Sequence, residues 1–469
     1  MDLTNIRKTF DELVVSRLSD KVFERNGISN DEELITEELL NKCKIIEVPF
    51  GSIVYFLVLE DGKPVLYLEK ASRMGSDDLY IIDENGYECY DIYDGYPPEI
   101  KEKYLSHLKE LEKKITNEIL KKNKNVKGEL TMDCIKSGIM GQIVGDALGL
   151  PVQFIEREYR DRDPVTDMRG HGAFNKPAGS WSDDSSLILA TIDGLSKSLE
   201  ELNDSKKDLT LNDIIDYEIT MENFSKWLNE GEFTPYGYAY DIGGATMEGI
   251  YRYDEGSEPI KSGGIGERDN GNGSLMRILP ISFFIHCLSK KYSFDEKDKL
   301  EAVHNLSSLT HRHRRSQLCC GIYVNIALEF IENQERKLGL SLEELITNGI
   351  NKSKEYYCNN DSFKGELHHF ERVFSLNVQN LPRDEIKSGG YTISSLEATI
   401  WCLCRNDNYR DTVLEAVNLG HDTDTTACIA GGLAGIYYGY DDIPSDWINQ
   451  LARWDYIEEL INNFNNALS

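Results

Sequence analysis

The sequence predicts an all-α fold for most of the chain, with a small α+β domain containing an antiparallel meander in front of it. Three observations lead there. From about residue 132 onward, apolar residues recur at helical spacing, and short Gly, Asn and Asp loops separate the runs. Between residues 46 and 92 the pattern changes to β-branched and aromatic runs around two turn dipeptides, Asp61-Gly62 and Asn85-Gly86. A polar stretch, 121–128, lies between the two patterns. With 469 residues the chain is long enough for two or three domains. The expected boundaries are 1–125 for the accessory domain and 132–465 for the helical one.

Element by element, residues 1–45 read as helical, with Phe10, Leu13, Val14 and Leu18 on one face. The strands of 46–92 follow. Pro98 opens a further helix whose Lys-rich end suits a helix C-terminus. In the larger domain, helices are expected at 132–149, 183–200, 211–229, 242–250, 275–289, 295–307, 316–337, 341–356, 393–404, 409–418, 425–438 and 456–467. The segment 251–274 is long, polar and glycine-rich, the kind of loop that is usually functional.

Composition narrows the function classes. The formal net charge is -30, which opposes non-specific binding to nucleic acid or anionic membrane. No apolar stretch reaches the roughly 18 residues of a membrane helix. The first residues lack the apolar core of a signal peptide. A cytoplasmic location is expected. The ten cysteines show no paired spacing of a zinc site and read as free thiols.

Two acidic clusters carry the chemistry. "GSWSDDSSLILA" (179–190) sets Asp183 and Asp184 among hydroxyl residues at a helix start. One aspartate suffices for capping. "NLGHDTDTTACIAGGLAG" (418–435) repeats the arrangement with Asp422, Asp424 and Thr425. Four carboxylates brought together repel one another by several kcal/mol unless a cation neutralises them. Hard cations such as Mg²⁺ and Mn²⁺ take oxygen ligands of this kind, and the set is rich enough for two ions.

Three other stretches have the composition of binding elements. In "GIMGQIVGDALGLPVQF" (138–154), Gly141, Gly145 and Gly149 clear one helical stripe for close approach. Asp146 sits beside that stripe, placed to hold a partner backbone. In "DNGNGSLMRILPI" (269–281), a Gly-Asn loop before a helix offers backbone N–H groups to a phosphate. "SSLTHRHRRSQ" (307–317) concentrates positive charge in an acidic chain.

Together with "FSKWLNEGEFTPYGYAYDIG" and "IKSGGYTISSLEATIW", these stretches resemble, in order and spacing, the ADP-ribosylglycohydrolase family over about residues 132–465. The resemblance implies an all-α domain with two Mg²⁺ or Mn²⁺ ions at the base of an ADP-ribose cleft. It implies Ser182, Asp183, Asp184, Asp422, Asp424 and Thr425 as ligands. Ser182 stands where the family usually has threonine and keeps the hydroxyl. The loop of Gly271, Asn272, Gly273, Ser274, Leu275 and Met276 is expected to hold the diphosphate. His311 and Tyr391 are expected near the adenosine or ribose, and Asp146 among the substrate-binding residues. Gln153 departs from the family's usual glutamate. Its carbonyl can coordinate, but it cannot act as a base. The expected catalytic groups are Asp183, Asp184 and Gln153, with the base role falling to an aspartate.

The resemblance therefore implies a metal-dependent hydrolase that removes ADP-ribose from modified protein, with arginine the expected acceptor. Immunity against an ADP-ribosylating toxin, engaged through residues 1–125, is a variant of that reading. Hydrolysis of another ADP-ribosyl linkage is an alternative within the same chemistry. A catalytically retired ADP-ribose- or toxin-binding protein is an alternative from a different class.

Overall fold

The computed structural model describes residues 46–48, 51–60, 63–72, 77–83, 86–91, 132–200 and 209–469. The helices expected in 1–45 and from Pro98 lie outside the described residues. The chain divides into two compact units, Met1–Gly128 and Glu129–Ser469.

In the first unit the backbone forms five strands: β1 (Ile46–Val48), β2 (Gly51–Glu60), β3 (Lys63–Ser72), β4 (Asp77–Asp83) and β5 (Gly86–Asp91). Each pairs antiparallel with the next, in the order β1-β2-β3-β4-β5. Glu60 faces Lys63 and Asp83 faces Gly86. Both connections are therefore two residues long; the first is the Asp61-Gly62 pair itself, whereas Gly86 of the Asn85-Gly86 pair already belongs to β5.

In the described residues of the second unit the regular structure is helical. Its longer helices are α1 (Met132–Gly149), α2 (Asp183–Glu200), α3 (Tyr217–Glu230), α4 (Gly244–Asp254), α5 (Pro280–Leu288), α6 (Glu296–Ser308), α7 (Arg314–Arg336), α8 (Leu342–Cys358), α9 (Thr392–Arg405), α10 (Tyr409–Asn418), α11 (Thr423–Tyr438) and α12 (Trp454–Leu468). Among these described residues, no helix is long and apolar enough to cross a membrane.

Two expectations are corrected here. The run 211–229 is not one helix. A short turn, Leu211–Ile214, ends before Asp216, whose side chain accepts from the Glu218 and Ile219 amides and opens α3 afresh. The helix expected at 275 begins at Pro280, because proline favours the first helical turn and Leu275–Leu279 are held in successive turns before it.

The core is built around a seam between α1 and α11. A Cβ at Gly141 would stand 2.3 Å from the Gly431 carbonyl oxygen, and one at Gly145 would stand 2.2 Å from that of Ala427. Small residues on both helices thus let backbone touch backbone. Hydroxyls pin both helices: one bridges α11 to α1, and the others come from α10 and α7. Tyr409 donates to the Gly141 carbonyl at 2.7 Å, Thr423 to that of Gly149 at 2.7 Å, and Tyr323 to that of Ile429 at 2.9 Å. Four tryptophans, Trp181, Trp227, Trp401 and Trp447, fill the surrounding interior and contribute large buried apolar area. The seam carries Asp146 on α1 and Asp424 on α11 to the same depth, and α2 starts beside them.

Candidate active site

The two acidic clusters, separated by more than two hundred residues in sequence, meet at the start of α2. The Thr425 hydroxyl donates to Asp184 Oδ2 at 3.3 Å, and the Ser182 hydroxyl donates to the same oxygen at 3.3 Å. The turn that presents Asp183 and Asp184 is held from below by Asp146. Its carboxylate accepts from the Ser182 amide at 2.9 Å, the Ser185 amide at 3.1 Å and the Ser185 hydroxyl at 2.5 Å. Burial pushes the Asp146 carboxyl up to about 6 against the effect of these donors. Asp146 is as buried as Asp184 and Asp424, and its carboxylate is taken up by these donors. Its place is to fix the acidic turn, the backbone-holding role foreseen for it.

Crowding of negative charge defines the electrostatics. Burial, and then the neighbouring aspartates, drive the carboxyls of Asp183, Asp184 and Asp424 well above the ordinary carboxylate range. Asp422 is held by Asn272, whose amide donates to Asp422 Oδ2 at 2.6 Å and to the Ser395 hydroxyl at 2.9 Å.

Sequence reasoning missed one member. Asp241 lies beside Asp424 and Gln153, and burial pushes its carboxyl up to about 6. It is held at φ +56, a left-handed conformation uncommon outside glycine but tolerated by aspartate. It stands in the quoted stretch "YGYAYDIG", with one residue between it and the pair Gly243-Gly244, and that position was the available signal.

Four buried oxygens here have no hydrogen-bond partner: Gln153 Oε1, Asp184 Oδ1, Asp241 Oδ2 and Asp424 Oδ2. Each can only accept unless a carboxyl is protonated. Buried polar atoms are normally satisfied, so clustered acceptors facing no donor fit a bound cation. A second group, Glu267, His313 and Glu366, brings its ligand atoms within 4.8 Å of one another. Its positive charge is supplied by Arg315, which donates to Glu366 at 2.8 Å and to Glu267 at 3.0 Å.

The glycine loop lies on the Asp422 side. Gly271 bridges to Tyr391, and the Asn272 amide donates to the Gly390 carbonyl at 3.1 Å. The Met276 amide is committed to the Asn272 carbonyl at 3.1 Å, and the Met276 carbonyl accepts from Gln142 at 2.8 Å. Met276 therefore cannot donate its N–H to a diphosphate as expected. Ser274, Leu275 and Met276 turn their side chains into the core. With α5 beginning only at Pro280, the loop has no helix dipole directly behind it.

His311 is buried against Gly271 and Gly273, and Thr310 shares a hydrogen bond with its Nδ1 at 2.9 Å. Burial lowers its pKa to about 3, so the ring is neutral. Arg315 is also buried in its acidic partners, whereas Arg314 is exposed. Tyr391 stays partly exposed beside Arg315.

This arrangement, two helix-start acid turns joined across a glycine seam beside a glycine loop, defines a helical hydrolase class. The chain belongs to the ADP-ribosylglycohydrolase family, whose model matches residues 129–469. An ADP-ribosylarginine hydrolase Tri1 of Serratia proteamaculans is 30% identical over 339 residues, 70% of this chain and 78% of the relative. The Tri1 of Pseudomonas putida is 29% identical over 342 residues, covering 71% and 78%. The ADP-ribosyl-[dinitrogen reductase] glycohydrolase of Rhodospirillum rubrum is 27% identical, covering 69% and 92%. A solved ADP-ribosylglycohydrolase-related protein complex shares the fold, with a TM-score of 0.54 at 23% identity, covering 72% of this chain and 99% of that one.

Proposed function

We propose that this chain is a metal-dependent hydrolase that releases ADP-ribose from arginine on modified proteins. The observation that carries the reading is the set of four partnerless buried oxygens where the two acidic turns meet. The names of the relatives support the arginine linkage. Ser182, Asp183, Asp184, Asp422, Asp424 and Thr425 would hold Mg²⁺ or Mn²⁺, and Gln153 Oε1 is aimed into the same space. When bound, such cations lower the pKa of water and offset the crowded charge.

The chain's own residues account for the rest. The amides of Gly273, Ser274 and Leu275 anchor the diphosphate, with His311 packed beneath as a neutral ring. This keeps binding energy remote from the reacting carbon. Tyr391 borders the adenosine. Asp241 Oδ2 accepts the proton of the attacking water, a role that the Gln153 amide cannot take. The water oxygen bonds to ribose C1″ as the bond to the guanidinium nitrogen breaks. The arginine leaves as a guanidine, which then takes up that proton.

A finer part of the proposal gives residues 1–125 the place of an α+β accessory module for a partner such as an ADP-ribosylating toxin. The division of the chain into two units supports it.

The test is release of ADP-ribose from arginine-modified protein with Mg²⁺ or Mn²⁺, for the wild type and for Asp184→Ala and Asp241→Asn. Losses of 10²-fold or more in both variants are expected. Equal release from all three proteins would defeat the assignment of these residues. ADP-ribose binding with no release by the wild type would favour a retired binding protein, and release only from serine-linked or polymeric substrate would move the acceptor.

A further inference from the structure

Beside the acids, the structure holds an aromatic cage that the hydrolysis scheme does not use. Lys176 Nζ lies 5.3 Å from the ring centre of Tyr236, 4.6 Å from that of Tyr238 and 4.9 Å from that of Tyr240. It also donates to the Tyr238 hydroxyl. The wall continues through Phe174, 5.7 Å from Tyr240, to Phe154, 6.1 Å further on. Phe154 is 68% exposed and Tyr238 50%, so the wall faces solvent.

The wall is tied to the site at three places. Phe154 follows Gln153, and Tyr240 precedes Asp241. The Tyr240 hydroxyl donates to the carbonyl of Trp181, the residue before Ser182. The rings therefore stand next to the acids, and Phe154 also donates its backbone N–H to the His421 carbonyl at 2.6 Å, beside Asp422. A ring face attracts a cation, and three faces around one ammonium make a site selective for positive charge. The one cation found there belongs to the chain itself.

We propose that the Tyr236–Tyr238–Tyr240 cage is the acceptor subsite, which takes the guanidinium of the modified arginine, and that Lys176 is its resident placeholder. This rests on the hydrolase reading above. With C1″ over the acids, the acceptor bonded to it lies beside them, where Tyr240 adjoins Asp241 and reaches the Trp181 carbonyl. Charge complementarity then selects a cationic acceptor over a neutral serine O-glycoside.

The experiment measures kcat and KM on a peptide ADP-ribosylated at one arginine, and calorimetric binding of free ADP-ribose, for the wild type, Tyr238→Leu, Tyr238→Phe and Lys176→Gln. Tyr238→Leu should raise KM about fivefold, the factor equivalent to about 1 kcal/mol of cation–π attraction. Tyr238→Phe should restore it, and ADP-ribose affinity should stay unchanged throughout. Lys176→Gln should lower KM. An unchanged KM in Tyr238→Leu, or a parallel loss of ADP-ribose affinity, overturns the cage as acceptor site. A wild type that releases no ADP-ribose overturns the hydrolase reading beneath it.

Discussion

Replacing Asp184 by asparagine should stabilise the metal-free protein and weaken the metal-loaded one. Asp184 is buried, with Oδ2 accepting two hydroxyls at 3.3 Å and Oδ1 accepting nothing. Burial, and then the charges of Asp146, Asp422 and Asp241, oppose its ionisation. Two like charges about 5 Å apart repel by about 3 kcal/mol at an effective dielectric near 20. Partial protonation of the group reduces the relief on removing one charge to about 1–2 kcal/mol. Asparagine keeps the shape, and its amide can donate to a neighbouring carboxylate. The variant should therefore melt about 2–4 °C higher in chelator. With metal at 100 times its dissociation constant, the wild type gains about 2.7 kcal/mol. The variant, lacking an anionic ligand, should gain less than half of that, so the order of stability inverts. Thermal unfolding in EDTA and in millimolar Mn²⁺ or Mg²⁺ reads both limbs. A variant that melts lower in chelator and shifts as far as the wild type on adding metal would refute the reasoning.

Two further outcomes concern the scaffold. Gly145→Ala puts a carbon 2.2 Å from the Ala427 carbonyl oxygen and 2.9 Å from the Cys428 nitrogen, both backbone atoms that cannot rotate away. It should cost about 3 kcal/mol or more in chemical denaturation, whereas Gly365→Ala, with open space around it, should stay within about 0.5 kcal/mol. Glu335 accepts from His286 and Lys290; burial alone would raise its carboxyl, but these partners hold it below the ordinary value. A depressed carboxylate contributes stability above its unfolded pKa and loses it as pH falls. The melting difference between wild type and Glu335→Gln should therefore close below about pH 4.

What could be read from the sequence follows from how local each signal is. The bounds of α1, α2 and α10 were legible because glycine, paired aspartates or an Asn cap lie beside the apolar run they delimit. The break before α3 was not, because Asp216 looks like one more polar face position until its side chain takes the amides behind it. Leu275, Ile278 and Leu279 have helical spacing, yet Pro280 sets the helix start. At the site, the acid pairs announced themselves as redundant caps. Asp146 announced itself as the holder of a partner backbone, but not which backbone, since the helix it caps begins 37 residues later. Asp241 was hidden because its value lies in contacts with Asp424 and Gln153, both distant in sequence.

The contact of α1 with α11 has a consequence for the proposed metal site. Where main chains already touch, there is no compressible layer between them, so the α2 turn gripped by Asp146 of α1 and the α11 turn bearing Asp422 and Asp424 cannot drift apart to suit a larger guest. A fixed aperture discriminates by ionic radius. It should favour Mg²⁺, whose oxygens sit at about 2.0–2.1 Å, over Ca²⁺, which asks for about 2.3–2.6 Å and more neighbours.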